Sequence, residues 1–257
     1  MEERVRLAKA KQIDNRTPKT VVVSKLFLAM IALVALCASA AAQEMTAEDW
    51  YKKGLELSKK GSHEEAVKAY DKAIEIEPQN AMFWFAKGRG LLSTTYGPIG
   101  LNEEKRAAAE EAAIKAYDKA IQIDPNYSDA WGSKGYILLR MASRNSTVDM
   151  DMCNESLYSF DKALELNPRD ANAWQGRGTL LFGLNRFEEA IESYDRALEN
   201  DPSYIGASQG KAQALEALGR KNESANTYDK SLETVDREIK AANSPENLSQ
   251  AWLSKGI

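Results

Sequence analysis

One tetrad of residues occurs five times along this chain: Tyr70-Asp71-Lys72-Ala73, Tyr117-Asp118-Lys119-Ala120, Phe160-Asp161-Lys162-Ala163, Tyr194-Asp195-Arg196-Ala197 and Tyr228-Asp229-Lys230-Ser231. Four copies are followed at a fixed distance by proline, Pro78, Pro125, Pro168 and Pro202, and the fifth is not. The tryptophans keep the same register, at Trp50, Trp84, Trp131, Trp174 and Trp252, and the protein has no others. The stretch Ala171 to Tyr204, ANAWQGRGTLLFGLNRFEEAIESYDRALENDPSY, carries the whole pattern without interruption. Trp174, Gly178 and Leu181 are spaced four and three apart, so they share one face of a helix. Phe187, Ala190, Ile191, Tyr194 and Leu198 do the same in a second helix. Gly183 to Arg186 makes the turn between them, and Pro202 ends the unit because its ring nitrogen has no hydrogen to donate. Each unit is therefore a helical hairpin that cannot bury its own apolar face. Units of this kind must stack.

Repeat one spans residues 47–80. Repeat two, 81–127, has thirteen extra residues between its helices, near Ser93 to Arg106. They hold the turn signal Gly97-Pro98-Ile99-Gly100 and then an Ala/Glu/Lys-rich run that favours helix, so the second helix is expected to be lengthened backwards. Repeat three, 128–170, has nine extra residues around Ala142 to Met150, rich in Ser, Asn and Asp and read as a loop. Repeat four is 171–204. Repeat five, 205–238, has lost its Trp and Pro. Residues 249–257, SQAWLSKGI, restart the pattern with Trp252, Lys255 and Gly256 and read as the truncated start of a further repeat. The solenoid as a whole is assigned to residues 43–248.

A 34-residue helix-turn-helix period with Trp, Gly, Ala, aromatic, Ala and Pro in this order resembles the tetratricopeptide repeat (TPR) family. The resemblance implies an all-α fold, a right-handed α-α superhelix of about five hairpins. In that family the first helices line a concave groove that holds a partner segment. The matching positions here are Tyr51 and Leu55, Phe85 and Arg89, Tyr136 and Arg140, and Thr179 and Phe182. Aromatic residues and arginine carry much of the binding energy at interfaces; aromatics also pack between repeats, and both uses stay open here. The basic and asparagine set with which some family members clamp a peptide's C-terminal carboxylate is missing. One departure recurs: where the family has leucine before the glycine, this chain has Lys53, Lys87, Lys134, Arg177, Lys211 and Lys255. Such a line of charge could attract an acidic partner. The preferred reading is that each stem lies over apolar surface while its head meets water or a local carboxylate.

Residues 1–25 are polar and net basic, and Leu26 to Ala42 is an unbroken apolar or small run ending in Ala40-Ala41-Ala42. That order reads as a cleavable secretory signal, with an uncleaved membrane anchor as the alternative. Residues 1–42 are assigned to one or the other. The repeats are expected to be exported, either secreted or membrane-anchored, with membrane contact only through residues 21–42 if these are retained. Five asparagines are candidate N-glycosylation acceptors, Asn126, Asn145, Asn154, Asn222 and Asn247, each opening an Asn-x-Ser/Thr triplet. Beyond residue 42 the chain has 27 basic against 35 acidic side chains. An acidic balance argues against nucleic acid, whose phosphates need a basic stripe.

Little in the sequence suits catalysis. His63 is the only histidine, and it stands in the turn of repeat one without evident partners. No phosphate loop, paired-cysteine metal site or nucleophile elbow is present. Asp149-Met150-Asp151 with Asn154 lacks the glycine and terminal glutamate of a calcium loop. The reading is a non-catalytic scaffold that binds another protein or peptide, with no cofactor, no metal and no enzyme activity, outside the cytoplasmic membrane. Two alternatives stay open: the interaction arm of a larger enzyme, such as a glycosyltransferase or protease, or a membrane-tethered assembly factor.

Overall fold

The computed structural model describes residues 45–96, 103–144 and 149–242. The signal or anchor read over residues 1–42 and the restart of the pattern at 249–257 lie outside the described residues. Contacts separate residues 1–46 from 47–257, and the described residues of the latter unit form an all-α solenoid. Its helices are α1 (Ala47–Lys59), α2 (His63–Ile76), α3 (Ala81–Ser93), α4 (Glu103–Ile123), α5 (Ser128–Ala142), α6 (Met150–Leu166), α7 (Ala171–Gly183), α8 (Phe187–Asn200), α9 (Ile205–Ala217) and α10 (Lys221–Ala242). They pair as five antiparallel hairpins, α1 with α2 through α9 with α10, and each hairpin packs on the next. Among the described residues no helix is long and apolar enough to cross a membrane.

The repeated residues build three repeated joints. The first lies within each hairpin, where the tetrad's aromatic ring fills the space left by the first helix's glycine. A Cβ placed on Gly54, Gly88, Gly135 or Gly178 would come within 2.4, 2.6, 3.0 or 2.8 Å of Tyr70, Tyr117, Phe160 or Tyr194. All four rings are buried. The second joint ties one hairpin to the next: the indole nitrogens of Trp84, Trp131 and Trp174 each donate a 2.9 Å hydrogen bond to the carbonyl of Pro78, Pro125 and Pro168. Proline thus ends one helix and anchors the Trp of the following one.

The third joint answers the question of the basic residues. Lys87, Lys134, Arg177 and Lys211 are not a free line of charge, because each reaches back to the tetrad aspartate of the preceding repeat. The distances are 2.6 Å to Asp71, 2.6 Å to Asp118, 2.7 Å to Asp161 and 2.6 Å to Asp195. Lys53, Lys87 and Arg177 also lie over the ring of the tryptophan one turn earlier. The heads of Lys87, Lys134, Arg177 and Lys211 meet a local carboxylate, and in Lys87 and Arg177 the same charged head also faces the ring; Lys255 lies outside the described residues.

Lys134 is the most enclosed of the set, and it also donates to Glu155 at 2.8 Å. Burial disfavours its ammonium, but the bonds to Asp118 and Glu155 prevail and hold its pKa above the usual lysine value. A raised pKa means this stabilisation is complete below the ordinary lysine range and is lost only as pH climbs through the folded-state value. Lys134→Gln is expected to lower unfolding free energy by about 1–2 kcal/mol in urea titrations at pH 7. Lys72→Gln, which breaks only an exposed pair with Glu75, is expected to change it by less than about 0.5 kcal/mol.

The two insertions are resolved in part. α4 is 21 residues long against 14 for α2 and α8, so the second helix of repeat two is lengthened backwards as its composition implied. Thr94–Tyr96 forms a single 3₁₀ turn before it, and residues 97–102 lie outside the described residues. In repeat three α5 runs to Ala142 and α6 starts at Met150, capped by Asp149, whose carboxylate accepts from the Met152 amide at 3.1 Å. Where a hairpin has no insertion its turn needs a left-handed residue, supplied by Gly61 (φ 80°), Asn185 (φ 59°) and Gly219 (φ 75°).

Candidate binding surface on the first helices

Three first helices, α3, α5 and α7, start just after a proline turn and are held there by the Trp–carbonyl bond, so residues one and five positions beyond the tryptophan recur at one height, and Trp50 marks the same register in α1. Those positions are Tyr51 and Leu55 in α1, Phe85 and Arg89 in α3, Gly132 and Tyr136 in α5, and Gln175 and Thr179 in α7. Arg140 and Phe182 stand further along their helices.

The structure divides the eight expected groove residues. On the side of repeats one to three, Tyr51 packs 5.2 Å from Phe83 and 6.0 Å from Tyr70, and Phe85 packs 5.7 Å from Tyr117 and 4.9 Å from Tyr127. Both rings keep part of their surface in solvent, and Leu55 is exposed. Arg89 is exposed as well, its guanidinium 5.8 Å over the Phe85 ring. Burial raises the phenol pKa of Tyr51, with Glu48 adding to it and Arg89 opposing it. Burial likewise pushes Tyr127 up to about 12, helped by Asp129 and Tyr51 and again opposed by Arg89. This part of the surface offers neutral phenols, an open aromatic face and one cation. It suits a carboxylate beside an apolar or aromatic group.

On the side of repeats three to five the candidates are taken up by the protein itself. Tyr136 stacks edge-on against Phe160 at 5.1 Å, and its hydroxyl is shared between the Asn172 carbonyl and Gln175 Oε1. Tyr204 donates to Asn172 Oδ1 at 2.9 Å, and Thr179 bonds back to the Gln175 carbonyl at 3.0 Å. Phe182 lies 5.5 Å from Phe187 of its own hairpin. Arg140 turns towards α4, with Nη2 2.8 Å from Glu110 Oε1. Arg144 adds a 2.7 Å bond to the same oxygen and a 2.9 Å contact to Glu103. Glu110 itself has no solvent exposure.

Sequence reasoning missed Tyr127 and Tyr204, the residues that extend both parts of this surface. A signal existed: each closes an Asp-Pro-x-Tyr run, Asp124 to Tyr127 and Asp201 to Tyr204, and each stands at the N-cap of the next first helix. The other candidates are placed as follows. Asn126, Asn154 and Asn222 are exposed, but the hydroxyls of Ser156 and Ser224, two residues after the latter pair, are buried on Gly135 O and Glu216 Oε1. Asn145 and Asn247 lie outside the described residues. His63 opens α2, half-buried.

Two family profiles described as tetratricopeptide repeat match the chain, one at residues 47–80 and 171–204 and the other at 116–147. No curated protein matches it. Among solved structures it is similar to MamA, at 21% identity over 77% of this chain and 95% of that one with a TM-score of 0.59. It is similar to MamA from Desulfovibrio magneticus RS-1, at 19% identity, 77% and 97% coverage and a TM-score of 0.59. YrrB, described as a TPR protein with an unusual peptide-binding site, is 18% identical over 77% of this chain and 91% of its own, with a TM-score of 0.56. At these identities the likeness is one of fold. Profiles on three stretches and a shared fold coincide with joints that recur from unit to unit, and on that footing the chain is a tetratricopeptide-repeat protein.

Proposed function

We propose that this chain is a protein-interaction scaffold whose first helices take up an extended or helical segment of a partner protein, without catalysis of its own. The observation that carries the reading is the patch formed by Tyr51, Phe85, Tyr127 and Arg89, where an exposed guanidinium lies over a half-covered ring. The scaffold is already folded around it, so docking orders few groups of the chain. A bound segment with an acidic side chain next to an aromatic or branched apolar one satisfies both halves of the patch. The peptide-binding description of YrrB, a neighbour in fold, supports a peptide segment as the ligand class. The basic-then-apolar order of residues 1–42 supports action outside the cytoplasmic membrane, secreted or tethered.

The test is a peptide array probed with the purified chain, followed by titration of the tightest binder. Arg89→Glu and Phe85→Ala are each expected to weaken that binder by about 10–30-fold, in keeping with a loss of about 1.4–2 kcal/mol at an interface anchor. Lys87→Gln, whose cation is held by Asp71, is expected to leave affinity unchanged. If neither Arg89→Glu nor Phe85→Ala changes affinity, the partner binds elsewhere. The N-terminal sequence of the protein recovered from its host tests the location, a start near Ala41 or Gln43 meaning export and release.

A further inference from the structure

The array has two unlike ends. On α1, the positions that would meet a preceding repeat are Asp49, Lys52 and Glu56, all exposed, whereas their counterparts on α3 are Phe83, Ala86 and Gly90, all buried. The surface at this end is polar. The other end differs. Tyr228 of α10 is 36% exposed, while the equivalent Tyr70, Tyr117, Phe160 and Tyr194 are at most 2% exposed. Leu232 is 66% exposed, against 8% and 6% for Ile74 and Leu164 in the same place. Asp229 is exposed and makes no ion pair among the described residues, although each of the four tetrad aspartates before it holds a cation from the next first helix.

The rest of the molecule shows what covers such a face. On α4 it is Ala130-Trp131-Gly132-Ser133-Lys134-Gly135: the alanine is fully buried, the indole bonds the Pro125 carbonyl and Lys134 reaches Asp118. The glycine then leaves room for the next ring. Trp84 and Trp174 at this position also pack against the core clusters that hold Ile74 and Leu164, the counterparts of Leu232. Residues 251–256, Ala-Trp-Leu-Ser-Lys-Gly, repeat five of these six residues in order.

We propose that the bare face of α10 is a docking surface for this chain's own Ala251–Gly256, with Lys255 on Asp229 and Trp252 over Leu232. The reach allows it. Lys255 must return to the level of Asp229, thirteen residues back from the described end of α10 at Ala242, which is about 20 Å along a helix. The eight residues 243–250 span up to about 27 Å when extended, and Pro245 among them breaks the helical run. α1 of a second copy is the wrong occupant, since it would place Asp49 where every covering helix has a buried apolar residue.

Charge reversal in the full chain tests the pairing. Asp229→Lys and Lys255→Asp are each expected to lower the melting temperature by about 1–3 °C, and the double variant to recover most of the loss. Trp252→Ala is expected to lower it further and to speed amide exchange around Tyr228 to Leu232. A double variant that merely adds the two single losses, with exchange unchanged in Trp252→Ala, overturns the proposal. So does recovery accompanied by a dimeric mass in light scattering, which would put the segment on a second copy instead.

Discussion

Glu110→Ala is expected to cost about 3 kcal/mol of unfolding free energy, more than any single exposed ion pair in this molecule can contribute. The carboxylate has no contact with solvent, and its Oε1 faces both Arg140 and Arg144 at 2.8 and 2.7 Å. Removing it leaves two guanidinium groups side by side without the carboxylate they share, Arg144 keeping Glu103 at 2.9 Å. Breaking a buried pair in this one-sided way costs roughly 3–5 kcal/mol. The lower end applies because the arginine side chains keep 31% and 28% of their surface in water and can be partly hydrated. Arg144→Ala is expected to cost less, about 1–2 kcal/mol, since Arg140 still neutralises the carboxylate. Replacing both arginines should be at least as damaging as Glu110→Ala, because a buried charge is then left alone. Urea titrations of the four proteins check the order. A loss below about 1 kcal/mol for Glu110→Ala would mean that the seam between α4 and α5 is held by packing alone.

The same seam shows where the sequence could be read and where it could not. The hairpins were legible because Trp, Gly, the tetrad and Pro recur at one period, and a recurring residue reports a recurring neighbour. The backward growth of α4 was legible from its Ala/Glu/Lys content. Glu110 was not, because a glutamate in such a run looks like any solvated helix residue until Arg140 and Arg144 on the next hairpin are known to face it. The family pattern had assigned Arg140 to the groove, and in the structure its guanidinium is held against α4. The aspartate–lysine joint hid in plain view. Both partners recur at sixteen residues' separation, but the bond crosses from one repeat to the next, and periodicity within a unit does not say which units touch. Tyr127 and Tyr204 were passed over because a residue in a turn is usually read for its effect on the turn. Here the turn delivers a ring beside the first helices. Position and identity were visible throughout; contacts between repeats were what only the fold supplied.

Gly178→Val is expected to cost about 3 kcal/mol, while Gly183→Ala in the same helix is expected to be neutral or to stabilise by up to about 1 kcal/mol. The contrast isolates what the recurring glycine does. Both residues belong to α7, and replacing either removes the same backbone freedom from the unfolded chain. A Cβ on Gly183 meets nothing within 4 Å. A Cβ on Gly178 meets the Tyr194 ring at 2.8 Å, and two methyl groups then have to be housed beyond it. The ring cannot yield by sliding towards the next repeat, because a Cβ built on Gly210 would already lie 2.4 Å from its Cζ. Tyr194 is thus gripped between two helices that both lack a side chain at the contact, and added volume must separate α7 from α8 or α8 from α9. Either movement strains the aspartate–lysine joint between Asp195 and Lys211 and the packing of Leu181, Ala190 and Leu215 around the ring. Since stability in a stacked array passes from neighbour to neighbour, the damage should spread to repeat five, and amide exchange in α9 should quicken along with that in α7 and α8. If α9 keeps its protection while α8 loses it, the repeats are coupled less tightly than this ring-in-glycine joint requires.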